Sequence, residues 1–286
     1  MSKKRLSGAP FRVVPGGFAL TDLNDTEKKI LKNAMAQQKH INVLIRTKEE
    51  HIFIGDLLTL QSRITTCVIQ ISTMDGIEYL AEGLKHSFIK MVLFRTAFNQ
   101  RIDNSIAIKA LKETKSLRTI DLGVSAEQNA VVEALSNPNI ETFNLRNLFN
   151  HQAQMDLNDE TFERFAAVLA THPTLTQLSL GLLSHASFTA LGEALKHNVV
   201  LQNLIINEEN GSESMRRLCE GLKMSSSVKS LSNCSRRRHW RVIQVISQQQ
   251  HQTKFYSLLF REQCNSTAQF YNIDRGVEDE FDVDDT

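Results

Sequence analysis

The sequence predicts an α/β solenoid of about eight strand–helix repeats, with a parallel sheet on a concave face, outer helices and a helical C-terminal cap. Two observations carry this prediction. The phrase apolar-x-x-Leu-x-apolar occurs at residues 175–180 and again at residues 201–206. Between the two phrases, Leu191 and Leu195 stand four positions apart, which is the spacing of one helix face. One unit is therefore a short strand, a turn and a helix.

The first unit is expected to begin with a helix after Asn24. Glu27 follows Asn24 by three positions, which is the pattern of a capping box. The apolar stripe of this helix leads to the strand anchors Ile41 and Leu44. Because side chains alternate along a strand, this register predicts that Val43 and Ile45 face the concavity.

Seven further units follow by the same order of helix leucine, short gap and strand anchors. Their second anchors stand at 69, 92, 120, 143, 178, 204 and 231, so the steps from Leu44 onward are 25, 23, 28, 23, 35, 26 and 27 residues. The 35-residue step contains a polar insert at residues 150–156. Insertions in solenoids become surface loops, often on the binding side.

Strand phrase, following helix and period together resemble the leucine-rich repeat family, nearest to its ribonuclease-inhibitor-like class, over roughly residues 20–234. The resemblance implies a horseshoe in which the parallel sheet lines the concave face. The chain departs from the family pattern where an asparagine normally follows each strand, so the turns are expected to be irregular. The corresponding positions hold Met74, Ala97, Ser125, Leu148, Leu183, Glu209 and Arg236.

Four regions are predicted: a basic N-terminal segment at residues 1–17, repeats at 18–235, a C-terminal cap at 236–275 and an acidic flexible tail at 276–286. The basic start and acidic tail also resemble leucine-rich-repeat effectors that Legionella translocates into host cells, some of which carry a glutamate-rich export signal. Glu278 and Glu280 match that feature loosely. This second resemblance implies a virulence effector, secreted and acting in the host cytoplasm.

Composition excludes several classes of protein. A net charge of +1 argues against a general polyanion binder, which needs a concentrated excess of Lys and Arg. No apolar run approaches the roughly 20 residues of a membrane span, and the N-terminus lacks the apolar core of a signal peptide. The 4 cysteines lie far apart, which favours reduced thiols in a cytoplasmic protein.

No catalytic or metal-binding motif is present, so we expect no enzyme activity, no cofactor and no metal. His86, His172 and His197 precede strand anchors and are expected to interact with carbonyls at helix ends. Two alternatives stay open. One is a ubiquitin-ligase-like or other host-modifying enzyme using Cys264, although only about fifty residues follow the repeats. The other is a nucleic-acid or membrane adaptor acting through the basic cluster at residues 236–241.

The expected function is a noncatalytic scaffold that captures a protein partner on the concave face and turn rim. Exposed apolar side chains there would mark the partner site, and nearby arginines could bind carboxylates. By resemblance to ribonuclease inhibitor, the scaffold could inhibit a host enzyme or another effector by covering its active site. The predicted partner-binding residues are Val68, Met91, Leu93, Arg95, Phe98, Asp121, Asn144, Arg146 and Phe149.

Overall fold

Strands and helices alternate along the computed structural model, which describes residues 24–60, 63–96, 102–123, 126–145, 157–181, 183–206, 212–234, 240–244, 257–260 and 269–272. The helices are α1 (Asp25–Ala36), α2 (Lys48–Thr59), α3 (Ile77–Lys85), α4 (Ser105–Ala110, continued by the 3-10 turn Leu111–Glu113), α5 (Gln128–Leu135), α6 (Asp159–Thr171), α7 (His185–His197) and α8 (Ser212–Met224). The strands are β1 (His40–Ile45), β2 (Thr66–Ile71), β3 (Met91–Thr96), β4 (Thr119–Gly123), β5 (Thr142–Asn144), β6 (Gln177–Leu180), β7 (Asn203–Ile206), β8 (Ser230–Cys234), β9 (Trp240–Gln244), β10 (Ser257–Phe260) and β11 (Gln269–Asn272).

The sheet confirms the predicted strand–helix alternation. Strands β1 to β8 pair in chain order and all their pairings are parallel. Each connection contains a helix, and neighbouring helices pack in the same order from α2 on α3 to α7 on α8. Parallel crossovers of one hand place their helices on one face of a sheet. We call the opposite face the open face; it is the face predicted to be concave.

The core lies between the sheet and the helices. The second anchors predicted from the sequence, from Ile69 to Leu231, are all buried. Across the sheet the register aligns one buried residue from each strand. These residues are Ile41, Cys67, Val92, Ile120, Phe143, Leu178, Leu204 and Leu231.

The predicted register of the first strand is wrong by one residue. Val43 pairs with Ile69 and Ile45 pairs with Ile71, and both residues of β1 are buried. Leu44, predicted as an anchor, is only partly buried and pairs with Gln70 on the open face. A shift of one position exchanges the two faces of a strand, so Val43 and Ile45 do not face the concavity.

The helix predicted after the last repeat is also wrong where the structure describes it. Residues Trp240–Gln244 form β9, which pairs antiparallel with β8. Aromatic and β-branched residues favour a strand, and pairing satisfies backbone groups at the edge that β8 would otherwise leave open. Farther along, β10 and β11 form a separate antiparallel pair.

Glycines let two pairs of neighbouring helices approach closely. A Cβ atom at Gly83 of α3 would lie 2.4 Å from the carbonyl oxygen of Gly55 in α2. In the same way, a Cβ atom at Gly221 of α8 would lie 2.1 Å from the carbonyl oxygen of Gly192 in α7. Glycine therefore sets the spacing between repeats at both places, since any larger side chain would push backbone against backbone.

Polar side chains join successive repeats at the turns from helix to strand. Asn137 donates to the carbonyl oxygens of Leu111 and Thr114 at 2.7 and 2.9 Å. His172 occupies the equivalent turn, with Nε2 3.0 Å from the carbonyl oxygen of Leu135. Each residue lies three positions before a strand anchor and satisfies carbonyls at the end of the preceding helix. Two further residues occupy equivalent turns: Thr114, which donates to the carbonyl oxygen of Leu84, and Asn198, which donates to that of Leu169. We call Thr114, Asn137, His172 and Asn198 the polar ladder.

The prediction that histidines before strand anchors bond to carbonyls at helix ends is confirmed for His172. The helix in question is the one in the preceding repeat, which ends at Leu135. The Nδ1 atom of His172 accepts from the backbone N–H groups of Thr174 and Leu175 at 3.3 and 3.1 Å. The ring is therefore neutral, with its proton on Nε2. Burial lowers the pKa of His172, although its two carbonyl partners act in the opposite direction.

Candidate functional site

Every second side chain of each strand points to the open face, and side chains at matching positions form three rows that run across the strands. The amino-terminal row is His40, Thr66, Met91, Thr119, Thr142, Gln177, Asn203 and Ser230. The central row is Asn42, Val68, Leu93, Asp121, Asn144, Ser179, Ile205 and Ser232. The third row begins with Leu44, Gln70, Arg95 and Gly123.

An apolar patch lies on strands β2 and β3 of the open face. Val68 pairs directly with Leu93, and Met91 stands two residues before Leu93 on the same face. Met91 is 36% exposed, and Val68 and Leu93 are both partly exposed. Neighbouring strands are about 4.8 Å apart, so the three side chains are contiguous. We call these three residues the apolar patch.

Arg95 and Asp121 form an ion pair beside the apolar patch. Arg95 Nη1 donates to Asp121 Oδ1 at 2.6 Å, and Nη2 donates to Oδ2 at 3.3 Å. The bond crosses from β3 to β4, where Gly123 stands opposite Arg95. A Cβ atom at Gly123 would lie 3.1 Å from Arg95 Nη1, so glycine leaves room for the guanidinium group.

This pairing changes the role expected for Arg95. The sequence predicts two separate partner-binding side chains, whereas the structure joins them into one two-pronged unit. Arg95 and Asp121 retain 34% and 18% of their side-chain exposure. A partner's carboxylate would therefore compete with Asp121, and the exposed edges of the pair can still accept or donate hydrogen bonds.

Polar side chains follow Asp121 in the central row at Asn144 and Ser179. Asn144 pairs in register with Ser179. Asn144 Oδ1 and Ser179 Oγ are both buried and have no hydrogen-bond partner within the described part of the chain. Ser179 belongs to the open face by its register but is fully buried. The open face is therefore apolar at β2 and β3 and mostly polar from β4 onward, with Ile205 of β7 as an apolar exception.

Several predicted residues cannot be placed in this site. Phe98, Arg146 and Phe149 lie outside the described residues, as do Cys264, residues 236–239 and the acidic tail. Trp240 and Arg241 belong to β9, at the far end of the sheet from the apolar patch. Of the predicted partner-binding set, the structure brings together Val68, Met91, Leu93, Arg95, Asp121 and Asn144.

Three cations at the amino-terminal ends of the first strands were missed by the sequence analysis. Lys39 and Lys90 occupy equivalent positions on either side of Thr65, whose N–H donates to the carbonyl oxygen of Lys39. Arg63 precedes Thr65 by two residues. All three cations are exposed, and none forms an ion pair with a described carboxylate. We call them the cationic rim.

Two observations on the described residues concern metal binding and cysteine reactivity. Across the described ranges, no group of three or more His, Cys, Asp or Glu side chains is placed to hold a metal ion. Cys67 is fully buried, and burial raises the pKa of its thiol to about 12, so it is not a nucleophile near neutral pH. None of the described helices is both long and apolar enough to cross a membrane.

Comparison with known proteins gives neither a matching family model nor a matching curated protein.

Proposed function

We propose that this chain is a leucine-rich repeat protein of the ribonuclease-inhibitor-like class and acts as a noncatalytic scaffold that binds a protein on its open face. The observation that carries the proposal is the apolar patch. Val68, Met91 and Leu93 are contiguous on the sheet face opposite the helices, and all three side chains remain at least partly exposed there. A contiguous exposed apolar patch does not stabilise a monomer and is typical of a partner site.

The strand register makes this surface preformed. Val68 and Leu93 are held in position by the β2–β3 ladder, and the same strands anchor their buried faces in the core through Ile69 and Phe94. A rigid surface loses little conformational freedom when a partner binds, which favours affinity. Complete burial of one large apolar side chain contributes about 1.5–3 kcal/mol, so three side chains that are each about one-third exposed or less would contribute about 1–3 kcal/mol together.

The ion pair of Arg95 and Asp121 supports the same proposal because it can fix the orientation of a bound partner. An apolar contact alone tolerates rotation of the partner, whereas a fixed guanidinium–carboxylate pair presents donors and acceptors at set positions. Burying the pair intact leaves no isolated charge, which would be costly. We infer that the partner covers the patch and hydrogen-bonds to the edges of this pair.

Steric cover is the mechanism that follows from such binding. The open face spans eight parallel strands, enough to present a surface comparable with the side of a folded domain. A partner enzyme held against it would have its own contact surface blocked, without any chemical step by the scaffold. This mechanism agrees with the resemblance to ribonuclease inhibitor, and a host enzyme or another effector would be a suitable target.

The test uses a double variant, Met91→Asp with Leu93→Thr, in the full chain. Proteins captured by the wild-type chain from producing cells and from host lysate would be identified, purified and titrated against each variant. Loss of binding is expected for the double variant. The matched control is Ile106→Asp, which places the same charge on an outer helix residue that is 47% exposed. Equal binding by wild type and double variant would refute the apolar patch as the site.

A further inference from the structure

The open face carries unequal charges at its amino-terminal end. Its described acids are already neutralised within the chain: Asp121 pairs with Arg95, and Glu141 lies 3.3 Å from Arg118. The cationic rim, in contrast, has no such partner among the described carboxylates. Positive charge is therefore in excess where the first three strands begin, although the whole chain carries only +1.

Apolar side chains are interleaved with these cations. Phe88 occupies the position in the β3 repeat that Arg63 occupies in the β2 repeat, and it is 56% exposed. Met91 directly follows Lys90 and belongs to the apolar patch. The cationic rim is therefore continuous with the apolar patch, and one ligand can contact both.

Spacing limits the ligand further. Lys39 and Lys90 are two strands apart, which corresponds to about 10 Å between their backbones. Three residues of an extended chain cover the same distance. Carboxylates separated by three positions, with an apolar residue between them, would match the cations and Met91 together. A nucleic acid fits less well, since affinity for a phosphate backbone depends on many cations and gains nothing from exposed methionine.

We propose that the partner of the open face is a protein that presents an acidic segment with at least one apolar side chain to the cationic rim. Its carboxylates pair with Lys39, Arg63 and Lys90, while the apolar side chain packs on Met91 and Phe88. This inference rests on the proposed function and adds the chemistry of the partner. Rim charges of this kind speed association and select partners more than they add affinity.

A defined probe tests this chemistry. The octapeptide Glu-Asp-Glu-Phe-Asp-Val-Asp-Asp, which matches residues 278–285, carries six carboxylates around Phe and Val. A fluorescein-labelled copy would be titrated with the full chain by fluorescence anisotropy at low salt and at high salt. The control peptide replaces every Glu by Gln and every Asp by Asn. Binding of the acidic peptide is expected to weaken at high salt, and the neutral peptide should bind about tenfold less tightly.

Charge-reversed variants locate the binding. Lys39→Glu with Lys90→Glu should weaken binding of the acidic peptide about tenfold, because two attractions become repulsions. The control is Lys29→Glu with Lys48→Glu, which changes the net charge equally at exposed sites in the first halves of α1 and α2. Binding by this control should stay within about twofold of wild type, since α2 begins where β1 ends, at the opposite edge of the sheet from the cationic rim.

Three results would overturn the proposal. The first is that the wild-type chain binds no acidic peptide, and the second is that it binds the neutral peptide equally well. The third is that both double variants lose binding to the same extent. A fourth result would reassign the occupant: if Asp282→Asn, Asp284→Asn and Asp285→Asn in the full chain strengthen peptide binding, the chain's own tail competes for the rim and the external partner is wrong.

The outcome also separates this inference from the proposed function. The acidic peptide could show no binding while Met91→Asp with Leu93→Thr still abolishes capture of the purified partner. The proposed scaffold function would then be kept, and the proposed acidic partner segment would be rejected. If that double variant captures the partner as well as wild type does, the open face is not the binding surface and the proposed function is rejected.

Discussion

Substitution of Gly83 by alanine should destabilise the chain, although alanine is the better helix former. In the wild-type structure, α3 lies so close to α2 that a Cβ atom at Gly83 would be 2.4 Å from the Gly55 oxygen and 2.5 Å from Gly55 Cα. Both contacts are with backbone, which cannot rotate away. Restoring an ordinary contact requires the helices to separate by roughly 1 Å, a gap that forfeits a quarter to a half of each van der Waals contact it affects.

The expected cost follows from two opposing effects. Overpacking of a tight interface costs about 3 kcal/mol, at the upper end of its usual range, because the clash is between main chains. Replacing glycine by alanine inside a helix returns about 1 kcal/mol. Gly83→Ala should therefore lower the free energy of unfolding by about 2 kcal/mol.

Urea unfolding followed by circular dichroism measures this difference, with Gly181→Ala as the matched control. A Cβ atom at Gly181 would meet only the Leu145 oxygen at 3.9 Å, an ordinary contact, so the control should change stability little. If Gly83→Ala is neutral or stabilising, the close approach of α2 and α3 is not a feature of the protein. Nearest-neighbour coupling in repeat arrays predicts that the loss concentrates in the first repeats, which hydrogen exchange would show.

Three further predictions concern buried and paired polar groups. His172→Ala should lower the free energy of unfolding in urea by about 3 kcal/mol, because it leaves buried carbonyls and N–H groups unpaired. His172→Asn should recover much of this loss, since Asn137 and Asn198 already occupy equivalent turns. Equal losses for both variants would contradict the structural role of the polar ladder. His51 is fully buried, and burial lowers its pKa below 6.5 against the opposing effect of nearby Glu50 and Glu78. The unfolded state therefore binds the proton first, so stability should be full above about pH 6.5 and fall as the pH drops, by at most about 1.4 kcal/mol per pH unit for this group; an unchanged pH slope in His51→Leu would refute this assignment. Asp121→Asn should lower the free energy of unfolding by about 1 kcal/mol or less, since Arg95 is partly exposed, and a larger loss in urea unfolding would mean that the pair is structurally more important than its exposure indicates.

Leucine spacing was sufficient to predict the alternation of strands and helices because each repeat has the same apolar requirement. Where one strand face is polar, as in the Thr142–Asn144 strand, alternation also fixed which residues point inward. The first strand has apolar residues on both faces, from Ile41 to Ile45, so its pattern does not distinguish the two registers. The sequence around Trp240 is ambiguous in a related way, since a short apolar run suits either a strand or a helix.

The candidate site could be predicted in part. Val68, Met91 and Leu93 followed from alternation alone, because strand register places them on one face. The Arg95–Asp121 bond did not follow, since it crosses strands and depends on the absence of a side chain at Gly123. Lys39 and the other rim cations precede the strands, where the period-two pattern has not yet begun.

The polar ladder gives the chain a direction. Asn137 bonds to Leu111 and Thr114, His172 to Leu135 and Asn198 to Leu169, so the helix ends of these repeats are completed by residues that come later in the sequence. During synthesis, the most recently emerged helix keeps open carbonyls until the next turn leaves the ribosome. Assembly would then proceed from the amino terminus by templating, with each finished unit offering acceptors to the next.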